Sequence, residues 1–217
     1  MITEYLSNLL VDLYVYFNKA LFPKKLKDCH FITKLQTGVM GSFIPESWTN
    51  SKNELIHQII LNPYIFKQEP RVLHSAIIHN MLHVYQYDFP ERPRLGYHDK
   101  VFAQIAEDRG FPTSSTGEPG GKKTGQKMLH YFSPGGLAIK ASDDRVKNLI
   151  KYWPLDLDSI FNSRKNKADY LCSNCNLKLY GQPNHKVICG DCYKKENRII
   201  YMDEIAPKRI INPWIKN

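Results

Sequence analysis

No stretch of this chain approaches the roughly 20 consecutive apolar residues that a membrane-spanning helix needs, and the mean hydropathy is −0.43. The sequence therefore offers no transmembrane helix. Cysteine is scarce, with five in 217 residues, and four of them, Cys172, Cys175, Cys189 and Cys192, crowd into one short segment while Cys29 stands alone. Such use argues against the disulfide framework of a small secreted domain and for metal in an intracellular chain. No internal repeat is visible, which argues against a solenoid or propeller. The opening MITEYLSNLLVDLYVYF has Glu4 and no early Lys or Arg, so it lacks the pattern of a secretory leader. An intracellular protein, in cytoplasm or nucleoid, is expected.

What is present suits a globular chain: 42% hydrophobic residues and 12% aromatics. The charge is lopsided. Residues 1–109 hold 12 Lys/Arg against 11 Asp/Glu, whereas residues 110–217 hold 18 against 10. A basic second half fits a polyanionic partner, nucleic acid first, and fits equally a solvated surface that serves solubility.

Periodicity predicts an α+β fold. Leu6, Leu9, Leu10, Leu13 and Phe17 mark a first helix that ends near Phe22-Pro23. HFITKLQ (30–36) and VMGSFIP (39–45) read as two strands joined through Thr37-Gly38, and ELIHQIILN (54–62) as a third, buried on both faces for part of its length. That third strand is either an edge able to pair with an extended peptide or an internal strand. Residues 71–87 form a central helix, and HDKVFAQIAEDRG another that stops at Gly110. PTSSTGEPGGKKTGQK (112–127) is a loop or linker, or equally a specific binding loop. A strand within 128–141 and a short helix over 143–151 follow.

The central helix carries SAIIHNMLHVYQ, in which His79 and His83 lie one turn apart on one face. The spacing is that of H-E-x-x-H, with Asn80 in place of glutamate. A third imidazole, His98 in LGYHDKVF, lies fifteen residues further on at the entry to the next helix. Three histidines suit a catalytic-type zinc, which keeps its fourth position open. An i, i+4 histidine pair is also common on ordinary helix surfaces and in cores.

The cysteine segment reads LCSNCNLKLYGQPNHKVICGDCYK: Cys172-x2-Cys175, thirteen residues, then Cys189-x2-Cys192. Two such knuckles offer four thiolates to a structural zinc; two redox dithiols are the alternative. Lys178, Lys186, Lys194, Lys195 and Arg198, interleaved with Tyr170, Tyr180 and Tyr193, are candidate contacts to nucleic acid, single-stranded or distorted DNA in particular. A merely solvated basic ribbon fits the same residues. His185 reads as a surface residue, His74 as a satisfied or surface one, and His130 as a candidate on the substrate side. His30, His57 and Cys29 are assigned no chemistry.

The order SAIIHNMLHVYQ, then GYHDKVFAQIAEDRGF, then paired cysteines resembles the SprT-like metallopeptidases, which include the Spartan proteases acting on DNA-crosslinked proteins. TGEPGGKKTGQKMLHYFSPGG resembles a segment of some bacterial and phage-type members. The resemblance runs from about residue 5 to 195 and implies a zincin-like domain over residues 1–141: a small twisted sheet packed on helices. A connecting segment (142–168), a zinc ribbon (169–200) and a tail (201–217) complete the chain. It also implies that His79, His83 and His98 hold zinc and that the general-base glutamate falls on Asn80. An amide hydrogen-bonds a water but cannot take its proton. Metal and substrate binding are expected to survive and hydrolysis to be lost or impaired, whether the asparagine is natural, as in a pseudo-protease, or introduced to trap an inactive form. Glu91 and Glu107 are substitute bases without further support. A non-catalytic, zinc-stabilised nucleic-acid-binding protein is the alternative.

Overall fold

The computed structural model describes residues 1–23, 25–36, 38–88, 94–146, 152 and 168–205. The chain is mixed α+β and divides into two compact units, Met1–Pro154 and Leu155–Asn217. Among the described residues no helix is long and apolar enough to cross a membrane.

In the first unit, helix α1 (Ile2–Leu21) buries Leu10, Leu13, Tyr14, Phe17 and Leu21, a stripe repeating every three to four residues. It stops where Phe22 turns extended ahead of Pro23. Strands β1 (Cys29–Thr33), β2 (Gly41–Thr49) and β3 (Leu55–Leu61) form a sheet in the order β1-β3-β2, with β1 parallel and β2 antiparallel to β3. β1 and β2 are thus not paired with each other; of the expected joint, Thr37 lies outside the described residues. The third strand takes the centre because Ile59, Ile60 and Leu61 are buried in succession, so both of its faces need cover. This removes it as an edge for an incoming peptide. The β2 ladder shifts register between Ile44 and Trp48, where Pro45 has no N–H to offer. There the N–H of Glu46 donates instead to His57 Nδ1 at 3.0 Å.

A 3-10 turn (Pro63–Lys67) leads into α2 (Pro70–Tyr87), with proline in the first turn, where no N–H partner is required. Leu73, Ile77, Ile78, Met81, Leu82 and Val84 are all fully buried, so α2 is enclosed nearly all round and packs against the sheet, α1 and α3. Helix α3 (Lys100–Asp108) is capped by Asp99, whose carboxylate accepts from the N–H of Phe102 at 2.7 Å. Gly110, at φ +67°, closes it.

The glycine-rich stretch is a compact loop, not a linker. Its first strand, β4 (Thr113–Ser114), pairs antiparallel with β5 (Leu129–His130). The strand expected within 128–141 is β5, two residues long like its partner β4, and α4 (Leu137–Asp143) follows after Pro134, Gly135 and Gly136. This helix lies ahead of the span expected to be helical (143–151), of which 147–151 lies outside the described residues.

In the second unit β6 (Ala168–Leu171), β7 (Lys178–Gly181) and β8 (Asp203–Ile205) form a sheet in the order β7-β6-β8, with helix α5 (Gly190–Glu196) between the last two in sequence. The sheet takes in residues 203–205, beyond the expected ribbon end at 200. Its core is small: Ala168, Tyr170, Met202 and three of the four cysteines, with Leu177, Val187 and Ile200 against them.

Candidate metal centres

His79 and His83 project from the same face of α2. His98 arrives from outside any helix, paired as an isolated bridge with Gly125 two residues before α3 begins. The three imidazoles each offer one nitrogen, and these lie within 4.8 Å of one another. Phe102 lies against the cluster, its ring centroid 4.6 Å from those of both His83 and His98. A bare cluster of buried imidazoles is costly unless its lone pairs meet a partner. His98 Nε2 is buried and among the described residues has no hydrogen-bond partner, as expected of an atom reserved for a metal.

The surrounding hydrogen bonds assign the tautomers. His98 Nδ1 lies 3.0 Å from the Gly125 carbonyl, which can only accept, so its proton sits on Nδ1 and Nε2 is bare. His83 Nδ1 lies 3.3 Å from Gln86 Oε1. The Gln86 amide is oriented by its own Nε2, which donates to Asp99 Oδ1 at 3.0 Å and to the Tyr97 carbonyl at 3.3 Å. His79 Nδ1 lies 2.8 Å from His130 Nε2, and His130 Nδ1 lies 2.9 Å from the Phe111 carbonyl. Asp99 thus links the cap of α3 to the ligand on α2. None of Gln86, Asp99, Gly125 and His130 stood out in the sequence as an outer partner; the only signal was that each lies near a ligand or in the glycine-rich stretch.

Burial also keeps these rings neutral. It is the main reason His79 titrates well below the ordinary histidine range, with His83, His130 and His98 adding to the effect. His83 is pushed down to about 3 by burial and by His98. His130 is likewise pushed down to about 3, chiefly by burial. Neutral imidazoles keep the lone pairs that ligation needs.

Asn80 is buried, and its Nδ2 donates to the Ala76 carbonyl of its own helix at 2.8 Å. Among the described residues its Oδ1 has no partner. Glu107, a candidate substitute base, is engaged on the surface by Lys123 at 2.7 Å. Glu91 lies outside the described residues.

The four cysteine sulfurs of the second unit also fall within 4.8 Å of one another. Cys172 and Cys192 are 3.7 Å apart, and Cys175 and Cys189 3.5 Å. Four thiolates around one zinc at about 2.3 Å sit about 3.8 Å apart, whereas a disulfide needs about 2.05 Å. The set fits a tetrahedral ion and contains no disulfide. The N–H of Cys175 brings the Cys172 thiol down to about 7, assisted by that of Asn174 and opposed by burial. Such N–H···S bonds favour the thiolate form. Asn174 Nδ2 also donates to Cys192 Sγ at 3.4 Å.

No protein-family model, curated protein or solved structure matches the chain.

Lys178, Lys186, Lys194, Lys195 and Arg198 are all exposed. Of the tyrosines between them, Tyr180 is 73% exposed and Tyr193 is open, but Tyr170 is only 1% exposed and donates its hydroxyl to the Gln182 carbonyl. Tyr170 is core and presents no stacking face. Residues 168–205 hold five Lys/Arg and five Asp/Glu, so this segment is itself neutral. The basic surplus lies on either side, 10 against 5 in residues 110–167 and 3 against none in 206–217. His185 is exposed and stands outside the thiolate set. His74 is fully buried, its Nδ1 2.8 Å from Ser142 Oγ, and is therefore a core residue instead of a surface one.

Proposed function

We propose that the first unit is a zincin-like zinc domain of the SprT-like kind, which holds metal and polypeptide but is impaired in hydrolysis, and that its targets are proteins associated with DNA. The observation that carries this reading is the convergence of His79, His83 and His98 with their outer nitrogens already engaged. Three neutral imidazoles suit zinc, which when bound would acidify a water and polarise a carbonyl. The chain's own groups supply the rest. His79, His83 and His98 would hold the ion, with the Phe102 ring against His83 and His98. Asn80 Oδ1 is able to accept a hydrogen bond from a water but takes up no proton, so the step that needs a base is lost. Absence of a positioned base costs about 10²–10⁴ in rate.

The four thiolates leave no open position, which suits a structural zinc that holds together a unit with little apolar core. The net charge of +9 supports a polyanionic partner. Because the ribbon is neutral, the phosphate contacts are assigned first to the basic segments flanking it, with Tyr180 and Tyr193 available to stack on unpaired bases.

A second reading, a binding protein without catalysis, is favoured by one observation: Asn80 is integrated into its helix through Ala76. The variant Asn80→Glu separates the two. Cleavage of an unstructured protein bound to single-stranded DNA should rise about 10²–10⁴-fold over the parent. A metal-loaded variant that cleaves no faster removes the peptidase reading and leaves the binding one.

A further inference from the structure

His130 lies on β5, 51 positions from His79 in sequence, and is neither one of the three candidate ligands nor part of the proton step. Its ring is stacked on Phe111, with centroids 4.4 Å apart and planes within 5°. The Phe111 carbonyl, which can only accept, lies 2.9 Å from Nδ1 and fixes the single proton of the neutral ring there. Nε2 is left as an acceptor, 2.8 Å from His79 Nδ1. His79 must then carry its proton on Nδ1, which leaves the lone pair on its Nε2 for the site it shares with His83 and His98. Left to itself an imidazole prefers the proton on Nε2, which would block ligation.

We infer that His130 is a positioning residue for the histidine metal site: by accepting from His79 Nδ1 it imposes the ligating tautomer and the ring orientation of His79. A carboxylate or carbonyl commonly fills this role; here a second imidazole, itself anchored on a backbone carbonyl, fills it. The proposal rests on the metal-site reading, and the test tells failure of one from failure of the other.

The full chain is loaded with zinc and the ions are withdrawn with a graded chelator, in parental protein, His83→Ala, His130→Phe and His130→Gln. Phenylalanine keeps the stack on Phe111 and removes the acceptor; glutamine returns an oxygen near the position of Nε2. A zinc class that vanishes in His83→Ala identifies the histidine site, and its absence from the parent overturns the site itself. With that class present, His130→Phe should weaken it about 10–100-fold. The cysteine class should be unchanged and His130→Gln should recover part of the loss. Equal affinity in the parent and His130→Phe overturns the proposal alone. Long-range proton–nitrogen spectra of the metal-free protein give a readout independent of zinc. His79 should be protonated at Nδ1 in the parent and His130→Gln, and shift toward Nε2 in His130→Phe; an unchanged tautomer in His130→Phe overturns the proposal.

Discussion

His98 and Gly125 face each other across an isolated antiparallel bridge, with the N–H of His98 on the Gly125 carbonyl at 3.0 Å and the N–H of Gly125 on the His98 carbonyl at 2.9 Å. The same Gly125 carbonyl receives the His98 ring at 3.0 Å. The third imidazole is therefore held by the glycine-rich loop and not by the helix that follows it. Gly125 sits at φ +152°, outside the range proline can adopt. Gly125→Pro should remove one bridge bond and misplace His98. Zinc at the histidine site should weaken at least about 10-fold, in the range found for lost outer partners, with the cysteine site unaffected. Chelator competition resolves the two classes.

Metal removal should act unequally on the two units. Among its described residues the second unit has few buried apolar side chains apart from its cysteines, so its folding free energy should depend on an ion held by the four thiolates. A strong chelator, or Cys172→Ser, should abolish amide protection in β6, β7 and β8 while leaving that of α1 and α2 in place. Hydrogen exchange read by mass spectrometry checks this; protection of β6 that survives complete zinc removal would contradict it.

Gly41, at the start of β2, is where the sheet meets Asn80. A Cβ built there would lie 2.8 Å from Asn80 Nδ2 and 3.0 Å from the Ile60 carbonyl oxygen. The backbone oxygen cannot give way as a side-chain tip can. Gly41→Ala should destabilise the first unit by about 1–3 kcal/mol, as overpacking does. Urea unfolding followed through α2 measures it.

His74 gives the first unit a dependence on acid. Burial, followed by the Arg71 charge, pushes its pKa down from 6.5 to about 4. The unfolded chain therefore binds a proton between about pH 6.5 and 4 that the folded one refuses, so stability falls as pH drops through that window. The shift corresponds to about 3 kcal/mol. His74→Phe removes the titration and keeps an aromatic ring against Phe17. Urea unfolding at pH 7 and pH 4 should show a smaller loss in the variant by about that amount.

Much of this was legible locally. The helical spacing of His79 and His83 and the paired spacing of the cysteines depend on backbone geometry within a few residues. Burial of β3 on both faces was visible in its apolar run, though its central place was not: nothing local says that β1 pairs parallel with β3 across the intervening β2. The strand expected within 128–141 is only two residues long, since its partner β4 is no longer, and that pairing is not visible in either stretch alone.

By itself the sequence determined which side chains are chemically able to hold metal, since ligand type and i, i+4 or C-x-x-C spacing are properties of the local chain. It also determined that position 80 carries an amide, which cannot take up a proton as a carboxylate does. Only the tertiary structure decided which imidazole nitrogens are bare, that Tyr170 is core, and that His130 stands behind His79. Those outcomes depend on hydrogen bonds between residues such as 79 and 130 or 98 and 125, whose separation is set by packing of the whole unit and leaves no mark in any short stretch of sequence.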